Sequence, residues 1–510
     1  MTDIFIKNGM IVDGSGSTPY PGSVHIQNGL IKNIVTGDDF GYQADEEIDA
    51  SGCFVSPGWM DCHSHNDVAY FSDKWKDHKT VQGVTLEVVG NCGFSAAPFP
   101  DAEYLSSPID HRLYQWQTMA DYFSSLKTLS LPVHIISLVA HGNVRAAVMG
   151  FRDTPPSSKE MAAMESMVIE SMNSGAVGLS TGLAYPPGSF SNIEEIIALA
   201  KVAARYGGIY VTHMRNEENL LEESVDEAVE IARRADIPLH ISHLKAIGKP
   251  NHYKIYKILS KLENLVETGM DISFDMYPYP ATSTSLNIIL PDWVVAGGRE
   301  VLIRRLGDRE IRRRLRVEMG VIVEETGQRL YNGCTWDKIM ISTVGKEDNR
   351  WMISKTIEEI AHRQGKDPLD TALDLVQDDS GPVNAVYFSL DDDSAWDVLA
   401  HPLSMVGSDG IVSSGQPHPR AFGSFPRFIC KGVNERKQIS LETAIAKITS
   451  KVARRFSLKN KGQIKKGMDA DITIFDLKKL KDIATFDDPI RPPQGIEWVI
   501  LQGAIKKIEV

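Results

Sequence analysis

Cysteine is scarce in this sequence. Only Cys53, Cys62, Cys92, Cys334 and Cys430 occur among 510 residues, an odd number at wide spacing. That excludes a disulfide framework, and a reducing compartment is the expected home. Long apolar runs are missing too: no uninterrupted stretch reaches the ~20 residues that a membrane span needs. The N-terminus has no basic-then-apolar leader. Met1 to Met10 reads instead as a strand, so the cytoplasm is the expected location. Positive charge is not in excess either. Lys and Arg number 54 against 67 Asp and Glu, for a formal net charge of −13. Such a balance argues against nucleic acid or an anionic membrane as partner. It does not argue for a cationic substrate, because acidic surface mostly serves solubility. No internal repeat or low-complexity tract stands out. The rest is ordinary for a soluble globular protein, 42% hydrophobic and 24% charged, in a chain long enough to bury a large core.

Texture divides the chain. Residues 1–56 read as short strands with turns (DIFIKNGMIVDG, GSVHIQNGLIKNI, EEIDASGCFVSPG), and Asn28-Gly29 is a hairpin signal. Residues 460–510 have the same texture (IKKGMDADITIFDLKK, GIEWVILQGAIKKIEV). Neither end alone offers enough core, so a small β-sandwich built from both termini is expected.

Between them, over 57–459, short apolar runs alternate with helical patterns. The strand-like runs are FVSPGWMD, TLEVVGNC, PVHIISLVA, AVGLSTGLA, GIYVTHMR, PLHISHLK, DISFDMYPY and SMVGSDG. SKEMAAMESMVIESMNSG, NIEEIIALAKVAARYGG and ESVDEAVEIARRAD carry apolar residues at spacings of three and four, as amphipathic helices do. Eight strands in a βα rhythm point to an α/β protein of the (β/α)₈ TIM-barrel class, although doubly wound sheets share that rhythm. An insertion, 281–400, separates the seventh and eighth strands and is expected to cover the barrel mouth. Its basic run GREVLIRRLGDREIRRRLRVEM reads as a solvated, ion-paired helix face.

The polar residues at the strand ends are informative. The first strand ends in Asp61-Cys62-His63-Ser64-His65. His63 and His65, two apart, leave one face of a strand and can hold a metal. Taken alone, such a pair is more often structural or at the surface than metal-binding. Cys92, between Asn91 and Gly93 after the second strand, is either a small buried hydrophobe or a thiolate ligand. His213 ends the fifth strand, His243 the sixth and Asp409 the eighth. Each can cap or turn the chain, as an Asp before Gly does. Together they project toward one rim, where barrel enzymes place their sites. Six such groups converging on one mouth read as ligands for one or two zinc ions.

At these residues the chain resembles the D-aminoacylases (N-acyl-D-amino-acid deacylases) of the amidohydrolase superfamily, nearly end to end. FIKNGMIVDGSG, FVSPGWMDCHSH, QGVTLEVVGNCGFSAAP, STGLAYPPG, VTHMRNE, SHLKAIGK, FDMYPY, GSDG and HPRAFGSFPR fall in family order. The resemblance implies a tight zinc on Cys92, His213 and His243, and a second, weaker position at His63, His65 and Asp409. Many superfamily members bridge two metals with a carboxylated lysine on the fourth strand. AVGLSTGLAYPPG has no lysine, which fits the cysteine branch. The resemblance also assigns Tyr185, Lys245, Arg420 and Tyr277 to substrate binding. Arg420 can grip a carboxylate with two parallel hydrogen bonds. The implied substrate is a small N-acylated D-amino acid, with Asp409 as the catalytic base and acid. Two rivals stand beside this reading. One is an amidohydrolase that opens a cyclic amide or imide, hydantoinase-like. The other is a non-catalytic barrel scaffold.

Overall fold

The computed structural model describes residues 3–37, 44–99, 114–323, 328–379, 381, 383–412 and 415–509. Eight short parallel strands organise the middle of the chain: β1 (Trp59–Asp61), β2 (Val84–Val89), β3 (His134–Ser137, resumed at Val139–Ala140), β4 (Gly178–Gly182), β5 (Ile209–His213), β6 (Leu239–Ile241), β7 (Ile272–Met276) and β8 (Ser404–Val406). They pair as two ladders, β1-β2-β3 and, from the second segment of β3, onward through β4 to β8 in sequence order. Between the ladders the links are single. Leu138 N–H donates to Val89 O (2.9 Å), Asp409 N–H donates to His63 O (2.8 Å), and Ser64 bridges Gly410. The paired sheets therefore do not close into a barrel.

The strands are apolar, partly β-branched runs; VTLEVV and IYVTH are buried along their whole length, as parallel strands between covering layers are. Met60, Leu86, Val88, Val211 and Met405 come from both ladders and meet in one cluster with Phe456. Helices connect the strands and begin where the sequence supplies caps. Ser157 and Glu160 form a capping box for Ser158–Ser174, and Asn192 caps Ile193–Arg205. Ile196, Leu199, Ala200 and Ala203 then turn one stripe of the latter helix into the main core.

Two expectations need correction. The first strand stops at Asp61, so His63 and His65 stand in the loop beyond it and owe their convergence to the Ser64–Gly410 bridge, not to strand alternation. The insertion ends earlier than 400. Its own core runs from Leu286 to Tyr387, whereas the helix Asp392–Ala400 sends Ala395, Trp396, Val398 and Leu399 into the main core, as a connecting helix does. The strands of the two termini pair into one continuous eight-stranded sheet. Phe54–Pro57 pairs on one side with Ile4–Ile11 and on the other with Ile472–Phe475, which joins the two ends of the chain edge to edge. In that sheet Asn28 and Gly29 both have left-handed backbone (φ 56° and 75°), the geometry that a two-residue hairpin turn needs.

The basic run forms two helices, Arg299–Leu306 and Arg309–Glu318, parted at Gly307 with Asp308 capping the second. Arg313, Arg314 and Arg316 pair with Glu310, Glu318 and Asp370 at 2.7–2.9 Å on the surface. All five cysteines are free. Among the described residues no helix is long and apolar enough to cross a membrane.

Candidate metal centre and active site

The residues singled out at the strand ends come together at one rim. His63, His65, Cys92 and Asp409 form one set of potential ligands, and Cys92, His213 and His243 a second. Within each set all ligand atoms lie within 4.8 Å of one another. Cys92 belongs to both. Its Sγ stands 3.3 Å from His63 Nε2 and 3.4 Å from His243 Nε2. Asp409 Oδ1 lies 3.0 Å from His65 Nε2 and 3.4 Å from His63 Nε2.

Local backbone makes this possible. Cys92, His243 and Asp409 all sit at positive φ (53°, 35° and 48°) just beyond β2, β6 and β8. Non-glycine residues reach that region at a cost, and such strain clusters at functional sites. Each turns its side chain inward where a continuing strand would carry it past the rim. The neighbours leave no slack. A Cβ on Gly182 would collide with the Cys92 carbonyl, and one on Gly407 with the His63 side chain. Below the rim, Asp61 ties β1 to the loop after β8. It accepts from Ser408 N (2.8 Å), Ser408 Oγ (2.6 Å) and the buried Lys79 ammonium (2.5 Å).

Two carboxylates that sequence reasoning passed over stand behind the imidazoles. Asp275, inside β7, meets His63 Nδ1 (3.2 Å) and His240 Nε2 (2.9 Å) through Oδ2, and accepts from the backbone N–H of His243 (3.0 Å) through Oδ1. Glu217 lies 3.1 Å from His243 Nδ1 and 2.7 Å from Lys245 Nζ. A proton on His63 Nδ1, donated to Asp275, leaves the Nε2 lone pair facing Cys92; His243 Nδ1 lies between Glu217 (3.1 Å) and the Lys245 ammonium (2.7 Å), with its Nε2 also facing Cys92. Ligating histidines commonly have their tautomer fixed this way. Glu217 was in sight within HMRNE, and Asp275 within the apolar SFDMY, where a buried acid needs a partner.

The charges answer one another. Burial pushes the Cys92 thiol up, but His63 and His243 outweigh it and hold the thiol well below its ordinary range. Burial likewise opposes ionisation of Asp409, and Arg420, His243 and His63 override it. His213 is shifted down by burial. Nδ1 of His65 and Nδ1 of His213 are buried with no hydrogen-bond partner among the described residues.

The four residues expected to bind substrate surround this cluster. Tyr185 packs edge-on against His213, ring centroids 4.7 Å apart, and its hydroxyl accepts from Thr284 (2.9 Å). Arg420 opens the helix Arg420–Ile429. Its guanidinium lies over the Tyr277 ring at 4.5 Å and donates from Nη2 to Ser283 O (3.0 Å). Nη1 is 2.8 Å from Asp409 Oδ2 but is not aligned to donate, and Nε has no partner among the described residues. The Tyr277 hydroxyl is buried and likewise unpartnered among them. Tyr185, Lys245 and Tyr277 line a cleft of about 250 Å³ together with His213, His243 and Asp409. A smaller recess of about 40 Å³ opens on the other side of Tyr185, against Phe94, Ile411 and Asn384.

The amidohydrolase family profile matches residues 46–506. The chain belongs to the amidohydrolase family. This amidohydrolase is 34% identical over 505 residues to an N-acyl-D-glutamate deacylase of Alcaligenes xylosoxydans xylosoxydans, covering 98% of this chain and 93% of that protein. It superposes on the crystal structure of N-acyl-D-glutamate deacylase from Bordetella bronchiseptica, complexed with zinc and a phosphonate mimic of the tetrahedral intermediate. The TM-score is 0.86 at 31% identity, covering 99% of this chain and 96% of that one. A D-aminoacylase with a binuclear metal centre, described by one-metal activation and second-metal attenuation, superposes with a TM-score of 0.83 at 30% identity over 99% and 96% of the two chains.

Proposed function

We propose that this amidohydrolase uses zinc to hydrolyse the amide bond of N-acyl-D-amino acids, releasing a carboxylic acid and a free D-amino acid. The observation that carries the reading is the single sulfur of Cys92, shared between the His213/His243 set and the His63/His65/Asp409 set. Cys92, His213 and His243 would hold the tight zinc; His63, His65 and Asp409 would form a weaker position that shares the sulfur. The donor chemistry fits: a thiolate with imidazoles suits zinc, and the buried Nδ1 of His213 has no partner among the described residues. Bound zinc supplies Lewis acidity, polarising the amide carbonyl and lowering the pKa of water from ~15.7 to ~7.

The chain's own side chains do the rest. Asp409, held ionised by Arg420 and the histidines, takes a proton from the attacking water and delivers it to the leaving amine. Arg420 has Nε and Nη1 free of aligned partners and grips the substrate α-carboxylate. Lys245 and the buried hydroxyl of Tyr277 complete that grip, and Tyr185 closes the acyl side against His213. No serine or cysteine nucleophile is needed.

We read the two parallel ladders as arcs of one (β/α)₈ barrel, with its catalytic rim at the strand C-termini. Residues 57–459 then form the catalytic unit, with the insertion from 281 over its mouth, and 1–56 with 460–510 form a second, β unit. The cytoplasm, and small molecules in place of nucleic acid or membrane, remain the proposed setting.

The test is a screen of N-acetyl-D- and N-acetyl-L-amino acids against the enzyme with and without zinc. Zinc-dependent release of the D-amino acid, with L enantiomers about 100-fold slower or worse, is expected. Equal turnover of L substrates, or turnover of hydantoins with none of acyclic amides, overturns the reading.

A further inference from the structure

The cleft carries a charge pattern that bears on which D-amino acid it accepts, given the deacylase reading above. Away from the metal-ligand cluster its wall mixes apolar side chains, Leu183, Ile247, Ile288 and Leu290, with polar ones that include Glu218, Asp292 and Asn332. Two cations line the cleft, and both are already faced by carboxylates. Lys245 meets both oxygens of Glu217, at 2.8 and 2.7 Å. Arg215 is locked to Glu227 through Nε (3.0 Å) and Nη2 (2.9 Å), and to the carbonyls of Ser189 (2.8 Å) and Ser191 (3.1 Å).

Glu218 and Asp292, in contrast, have no ion-pair partner among the described residues. Asp292 accepts from the Ser189 hydroxyl (2.9 Å), and Glu218 from the Gly333 backbone. Arg420 and Lys245 are both engaged by the α-carboxylate in the proposed complex, Lys245 keeping Glu217 beside it. A second carboxylate on the substrate would thus find no spare cation and two acids of its own sign. Like-charge juxtaposition is how sites reject wrong ligands.

We infer that this arm selects D-side chains without negative charge: apolar along the stem against Ile247, Ile288 and Leu290, neutral or cationic at the tip beside Glu218, Asp292 and Asn332. Glutamate-specific deacylases among the similar proteins do not carry their side-chain preference over to this chain, because identity near 30% leaves such a wall free to change.

N-acetyl-D-glutamine and N-acetyl-D-glutamate differ in little but the charge, so their kcat/KM ratio on the zinc-loaded enzyme is the test, with N-acetyl-D-leucine as the apolar reference. Burial and the neighbouring Glu217 push the Glu218 carboxyl up to about 7, so the assay is run at pH 8, where it is mostly ionised. D-glutamine should exceed D-glutamate by about tenfold or more. In the separate variants Glu218→Gln and Asp292→Asn the ratio should fall by about threefold or more in at least one. Glutamate turned over as well as glutamine by the wild type would overturn the inference and leave the deacylase reading intact. A ratio unmoved in both variants would remove these carboxylates from selection. Turnover of none of the three substrates would remove the deacylase reading and the selectivity together.

Discussion

Two Cys–His–carboxylate clusters lie one above the other in this molecule, and they behave differently. The upper one is the rim cluster around Cys92. The lower one, Cys62 with His240 and Asp275, is equally buried and brings its ligand atoms within the same 4.8 Å. In the lower cluster every group is already used. Cys62 Sγ donates to Val406 O (3.2 Å), His240 reaches Ser273 Oγ (2.7 Å) and Asp275 (2.9 Å), and Asp275 also takes His63 and the His243 amide. Burial pushes the Cys62 thiol well up, with Asp275 and Asp61 adding to the effect, whereas Cys92 is driven the other way. The upper cluster has unpartnered nitrogens, and its Cys92, His65, His213, His243 and Asp409 line the cleft or the recess beside it. Residue types that can bind a metal therefore do not make a site. Unspent lone pairs facing a cavity do, because a cation must repay the desolvation of its ligands.

That contrast can be broken at several points. The largest effect is expected from Cys92→Ala: bound zinc, read by metal analysis, should fall away along with activity. Full zinc retention would falsify the upper cluster as the metal site. Asp409→Asn comes next. It should keep the tight zinc while kcat drops by about 10²–10⁴; turnover near wild type would take Asp409 out of the proton transfer. Asp275 belongs to both clusters, and Asp275→Asn sharpens the comparison. It should weaken zinc by about 10–100-fold in a chelator competition, through His63 and His243, with the fold intact by circular dichroism. An unaltered affinity would show the carboxylate to be a lower-cluster residue only. Arg420→Ala should raise KM and erase the preference for N-acyl amino acids over their amides. A preserved preference would place the carboxylate elsewhere. The smallest change belongs to Cys62→Ala. It should leave zinc content untouched and cost about 1 kcal/mol of stability in urea, and loss of zinc there would reverse the roles of the two clusters.

Much of this candidate site was legible in the sequence because its residues sit at the ends of apolar runs, where one polar side chain can cap or turn the chain but six on one rim are not explained that way. His213 after IYVT and Asp409 after SMVGS are of that kind. Asp275 was not legible, since it lies within β7, and an acid inside a strand shows its partners only once β1 and β6 are beside it. The geometry of His63 and His65 was not legible for a related reason: a spacing of two implies strand alternation, but β1 ends at Asp61 and the bridge from Gly410 shapes the loop that follows.

The sequence by itself determined the βα rhythm, the sheet shared by the two termini and the identity of six candidate ligands. Those follow from periodicity and from the cost of burying polar groups, which are local properties. The tertiary structure alone decided that one cysteine sulfur belongs to both ligand sets, which imidazole nitrogen is backed by a carboxylate, and that Lys245 and Arg215 are already faced by carboxylates. Each of these depends on groups far apart in the chain, such as His63 and Asp275, 212 residues apart, and their approach is set by packing that no local pattern records.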